Sequence, residues 1–142
     1  MSVENDSWRS IVHDARESLT RVLGPVVVLL AAMWAVQIIN AVGGYWLNDL
    51  LGLQPRSLSG LLGILFMPLL HGGWMHLISN SISWLILGSM TAIISRDVAR
   101  VTAGIWLFGG ALLWVGGTPS THVGASGVIY GFAAFLLVYG WA

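Results

Sequence analysis

HGGWMHLISN, residues 71 to 80, sets two histidines and an asparagine in an apolar run; GASGVIYG, residues 124 to 131, sets a serine between glycines at the head of another. Such groups are costly in hydrocarbon and persist there only with a partner or a task. Their meaning depends on their surroundings. Of the 142 residues, 56% are hydrophobic and 8% are charged, with a mean hydropathy of +0.81. Soluble domains carry about a quarter charged residues, so this chain has too few charges to cover a water-facing surface. Eight Trp and three Tyr add rings that favour the headgroup zone. The composition predicts an all-α, polytopic membrane helical bundle.

Working outward from these two stretches, four apolar segments stand out, at about 22–42, 74–94, 101–115 and 126–142. A spanning helix needs roughly 20 residues, with ~17 near the lower limit, so the last two are short. The connection 43–70 holds LSGLLGILFMPLL (58–70), too apolar for a solvated loop and interrupted by Pro68. An interfacial or re-entrant segment is expected there. Residues 1–21 are polar and mixed in charge and lack the pattern of a cleaved signal. They are expected to form a cytoplasmic segment ahead of a membrane domain covering 22–142.

Arg9, Arg16 and Arg21 precede the first span, Arg96 and Arg100 separate the second from the third, and Arg56 stands alone on the other side. The positive-inside rule then puts the N-terminus in the cytoplasm. His71, His76 and Ser126 fall near the outer ends of the second and fourth spans. The formal net charge is zero, which offers no basic field to nucleic acid. With no Cys, disulfides, thiolate zinc sites and cysteine nucleophiles are excluded. The second span has no acidic residue, and the spacing of His71, His76 and His122 is not a zinc-ligand pattern, so no metal or cofactor is expected.

His76 and Asn80 are four apart and share one helical face, which Ser83 continues. Gly124 and Gly127 flank Ser126, allowing close backbone approach and a tight start to a helix. The first turn of that helix offers unpaired N–H groups at its positive dipole end. A serine facing His and Asn donors there has the parts of an oxyanion hole. Glycines four apart, Gly127 and Gly131, equally suit helix packing. Spacing alone leaves a polar packing cluster and an active site both open.

The pair of motifs resembles rhomboid intramembrane serine proteases. His71-x4-His76-x3-Asn80 is similar to the signature of their second span, and Gly124-x-Ser126-Gly127, with Tyr130 three residues on, to that of their fourth. The resemblance covers roughly residues 22–142. It implies Ser126 as nucleophile, with His76, Asn80 and the Ser126 N–H stabilising the oxyanion. It also implies that Gly124 and Gly127 frame the nucleophile, that Tyr130 is the aromatic under the catalytic histidine ring, and that His71 is structural. His122 lies outside the signature and is expected to be a loop residue. Several rhomboids carry Trp-Arg in the loop after the first span; Pro55–Arg56 stands there instead, so a loop role for Arg56 is not expected.

The family's general base is a histidine of a sixth span. This sequence ends at Ala142, with no histidine after His122. A serine without an adjacent base is a poor nucleophile. The 142-residue form is therefore expected to be a part truncated after the fourth helix and inactive alone. The resemblance implies cleavage of transmembrane protein substrates near the outer face of a bacterial plasma membrane. The alternative is a non-catalytic, pseudoprotease-like protein that binds transmembrane clients.

Overall fold

The structure, a computed structural model, describes residues 2–95 and 97–139. Met1, Arg96 and residues 140–142 lie outside it, as do the side chains of residues 2–7 and 10. Arg96, counted toward the orientation, and the end of the expected fourth span are thus outside the described residues. What is described is all-helical: α1 (Ser2–Val42), α2 (Trp46–Leu51), α3 (Gly63–Phe66), α4 (Trp74–Ile94), α5 (Val98–Gly116) and α6 (Ser126–Tyr139). Tight 3₁₀ turns at Ser59–Leu61 and Met67–Leu69 bracket α3.

Three helices are long and apolar enough to cross a membrane: Ile11–Val42 within α1, Trp74–Ile94 and Val98–Gly116. The described part of α6 has 14 residues, about 21 Å at 1.5 Å per residue. Residues 2–21 are helical and continue into the first span within one helix, which has Pro25 inside it. Helix α5 starts three residues earlier than the hydropathy suggests, because the Asp97 carboxylate accepts from the Arg100 N–H at 3.0 Å and caps it.

Helix α4 packs against both α1 and α6, and α6 packs against α5. Large side chains hold this centre together. Trp84 is fully buried, donates its indole N–H to the Val26 carbonyl at 2.9 Å, and lies 5.3 Å from the Phe132 ring. Gly88 makes room for both neighbours: a methyl group there would sit 3.2 Å from Val26 and 3.5 Å from Phe132. One stripe of α1, namely Val26, Met33, Gln37 and Asn40, is buried in the bundle. Two of these four are amides, an arrangement that hydropathy alone does not announce.

The 43–70 connection folds into short helices and turns. Pro68 sits in the first turn of Met67–Leu69, where its missing N–H is tolerated. Glycine packing fixes the segment, since a side chain on Gly63 would overlap the Leu53 backbone. Indole N–H groups then tie it to α5, from Trp106 to the Ile64 carbonyl and from Trp114 to the Ser57 carbonyl, both at 2.9 Å.

Arg56 requires a correction. It adopts φ 58°, and its guanidinium donates to the carbonyls of Val115 at 3.1 Å and Gly117 at 2.9 Å. Its own N–H donates to the Trp114 carbonyl at 2.9 Å. These are carbonyls left open at the end of α5, where a cation also complements the helix dipole. Arg56 therefore does have a loop role: it clamps the connection to the end of the third span.

Candidate active site

Helix α4 begins after Gly73, and His76 and Asn80 follow on one of its faces, one turn apart. Helix α6 begins at Ser126, so the first-turn N–H groups, including that of Ser126, have no partner within the helix. Gly124 brings the two elements together. Its φ is +116°, and a methyl group on it would lie 2.7 Å from Cε1 and Nε2 of His76 and 3.3 Å from Nδ2 of Asn80. The Gly124 backbone thus lies flat against the two side chains that the spacing singled out. Its N–H donates to the Met67 carbonyl at 2.9 Å, so the turn around Pro68 holds the loop in place.

Ser126, two residues on, is half-buried, as is His76, while Asn80 is buried and its Nδ2 has no hydrogen-bond partner among the described residues. Unpaired N–H donors grouped at a helix start can hold negative charge developing on a carbonyl oxygen. Gly127 differs from Gly124, with nothing within 4 Å of where its side chain would be. Gly131 is closed off by the Ile105 side chain, so this glycine serves α5–α6 packing. Tyr130 is 75% exposed and is not gathered into the histidine cluster. Ser83 returns its hydroxyl to the Ser79 carbonyl at 3.2 Å.

His71 is fully buried just before α4, and its ring meets that of His76 edge-on at 5.2 Å. Burial, followed by the neighbouring His76, pushes its pKa down from 6.5 to about 4, which keeps it neutral. Its backbone carbonyl accepts from Asn48 Nδ2 at 3.1 Å; Asn48 Oδ1 accepts from Asn40 Nδ2 at 2.8 Å; and Asn40 Oδ1 accepts the Leu47 N–H at 3.0 Å. Sequence reading passed over this relay, although amides inside an apolar stretch were a signal for it. His122 is a loop residue. It exchanges both backbone hydrogen bonds with Leu53, at 2.8 and 3.0 Å, and its Nε2 lies 3.0 Å from the Thr118 carbonyl. A concavity of about 480 Å³ opens elsewhere, along α5, touching Gly127 but none of His71, His76, Asn80 or Ser126.

Apolar helices of spanning length, with the Gly124 backbone ahead of α6 packed on His76 and Asn80 of α4, define a multi-pass membrane protein. The rhomboid domain model matches residues 58–142, and the chain belongs to the rhomboid family. An uncharacterised protein of Mycobacterium tuberculosis is 40% identical over 123 residues, covering 81% of this chain and 50% of the relative. One from Mycobacterium leprae is 36% identical over 137 residues, covering 89% and 54%. The chain spans about half the length of the curated relatives it matches. No solved structure matches it.

Proposed function

We propose that this chain carries the nucleophile and oxyanion hole of an intramembrane serine endopeptidase that cleaves transmembrane helices near the outer face of a bacterial plasma membrane. The observation that carries this reading is the approach of Gly124 to His76 and Asn80, because it brings the Ser126 loop to two hydrogen-bond donors. The Ser126 hydroxyl attacks the scissile carbonyl, and its proton passes to a base. The carbonyl oxygen becomes an oxyanion, held by His76, Asn80 and the free Ser126 N–H. Collapse of the tetrahedral intermediate expels the amine with a proton from that base, and water then releases the acyl group.

Of the four histidines of this sequence, His13 is exposed near the start of α1, His71 is buried, His76 faces Gly124 and His122 is bound into its loop. We therefore assign the base to a histidine in the part of such proteins that this chain does not span. Arg9, Arg16 and Arg21 ahead of the first apolar span, and Arg96 and Arg100 ahead of the third, favour a cytoplasmic N-terminus, with the site on the outer side.

The test is cleavage of a model transmembrane substrate by the full-length protein in vesicles. Ser126→Ala should abolish it, and His76→Ala and Asn80→Ala should each lower kcat by roughly 10²–10³. Cleavage that survives Ser126→Ala would overturn the reading. Client crosslinking that survives Ser126→Ala, without cleavage by the wild type, would favour a binding protein instead.

A further inference from the structure

Five buried side-chain atoms toward one end of the bundle lack a well-aligned hydrogen bond among the described residues: both amide ends of Gln37, both ring nitrogens of His71, which has the Leu69 backbone nearby, and Asn80 Nδ2. Gln37 and His71 are fully buried. Native proteins seldom leave such groups unpaired, and bound water is their usual partner where no side chain reaches.

Contacts on either side of Gln37 bracket its height in the bundle near the start of α4. One turn below, Trp34 donates to Ser81 Oγ at 3.0 Å and its ring lies 6.3 Å from that of Trp74. One turn above, Asn40 reaches His71 through Asn48. Gln37 is about 4.5 Å along the axis from each, on the buried stripe of α1. It therefore sits at the level where α4 begins and where the His71 ring meets His76. The chemistry is complementary, because a glutamine offers N–H donors and a carbonyl acceptor and a neutral imidazole offers one of each. A water can join the two. Asn80 Nδ2 lies beside Gly124 and is accounted for by the oxyanion site.

We propose that Gln37 is a positioning residue of the site: a bound water joins its amide to the His71 ring, and the ring so fixed seats His76 against Gly124. The inference deepens the protease reading and rests on it for the role of His76. It makes α1 part of the active centre, acting through two rings.

The test uses the full-length protein in vesicles with ¹⁵N-labelled histidine rings. In the wild type the His71 ring N–H should show magnetisation transfer to a slowly exchanging water. Gln37→Met, close in size and apolar, should remove that signal and shift the ring resonances of His71 and His76 while leaving His122 unchanged. The same variant should lower kcat by roughly tenfold or more with KM held within about twofold. Unchanged His71 and His76 resonances in Gln37→Met would overturn the proposal. Should that variant fail to fold, the wild-type protein decides alone, since a His71 ring without a bound-water signal overturns it equally. Coupled ring shifts without Ser126-dependent cleavage would overturn the protease reading and leave the water between Gln37 and His71 supported.

Discussion

Gly124→Ala is the sharpest test of how the two motifs meet. At φ +116° the backbone is in a region that residues with a side chain rarely adopt, and holding alanine there costs about 1–3 kcal/mol. The added methyl group would also lie 2.7 Å from Cε1 and Nε2 of His76, inside van der Waals contact. Ring and loop must separate by several tenths of an ångström, and overpacking of this kind costs about 1–3 kcal/mol more. The two costs together come to about 2–6 kcal/mol. The protein can meet part of that by moving the His76 ring, which on the proposed reading withdraws an oxyanion donor and lowers kcat by roughly 10²-fold. The assay pairs a melting curve with cleavage kinetics of the full-length protein in vesicles. Gly127→Ala is the control, since nothing lies within 4 Å of its added methyl group; it should melt within about 1 kcal/mol of wild type. Equal stability and kcat for Gly124→Ala and wild type would refute the packing of the Ser126 loop on His76.

Other positions give independent checks. Arg56→Gln removes the charged cap on the last carbonyls of α5 and should cost about 1 kcal/mol, read as a lowered melting temperature; an unchanged melt would mean that the clamp contributes nothing. Trp106→Phe keeps an aromatic ring, though a smaller one, but loses the bond to the Ile64 carbonyl, and should cost about 1–2 kcal/mol and loosen the 58–70 segment to protease. His71 sets a pH dependence. Its pKa falls from 6.5 to about 4 on folding, so its contribution is complete above pH 6.5 and is lost as pH falls from 6.5 toward 4. That loss amounts to at most ~3 kcal/mol, and chemical denaturation at pH 7 and pH 5 should show a steeper fall in wild type than in His71→Gln.

The helical class and the pairing of His76 with Asn80 were legible because both follow from counting, one of apolar residues and the other of a four-residue step. Ser126 was legible as a helix start from its flanking glycines. What separates those glycines was not. Gly124 and Gly127 look alike in the sequence, yet only Gly124 has a positive φ and a neighbour where a side chain would be. Backbone torsion and distant neighbours leave no mark in local spacing. Arg56 was passed over for the same reason, since its partners are carbonyls at Val115 and Gly117, and a carbonyl belongs to every residue type.

Gln37 and Asn40 are a different case, because the signal was present. They interrupt an apolar run one helical turn apart, as His76 and Asn80 do, and the cost of a buried amide in hydrocarbon applies to both pairs. The pair on α4 drew attention because its residue types carry known chemistry, whereas amides on a first span read as tolerated polarity. The structure removes that distinction: both α1 amides are fully buried, and Asn40 leads through Asn48 to the backbone of His71. Burial, rather than residue type, is what makes an intramembrane polar group informative. On that ground the centre of this protein extends past the two motifs to the stripe of α1 that faces them.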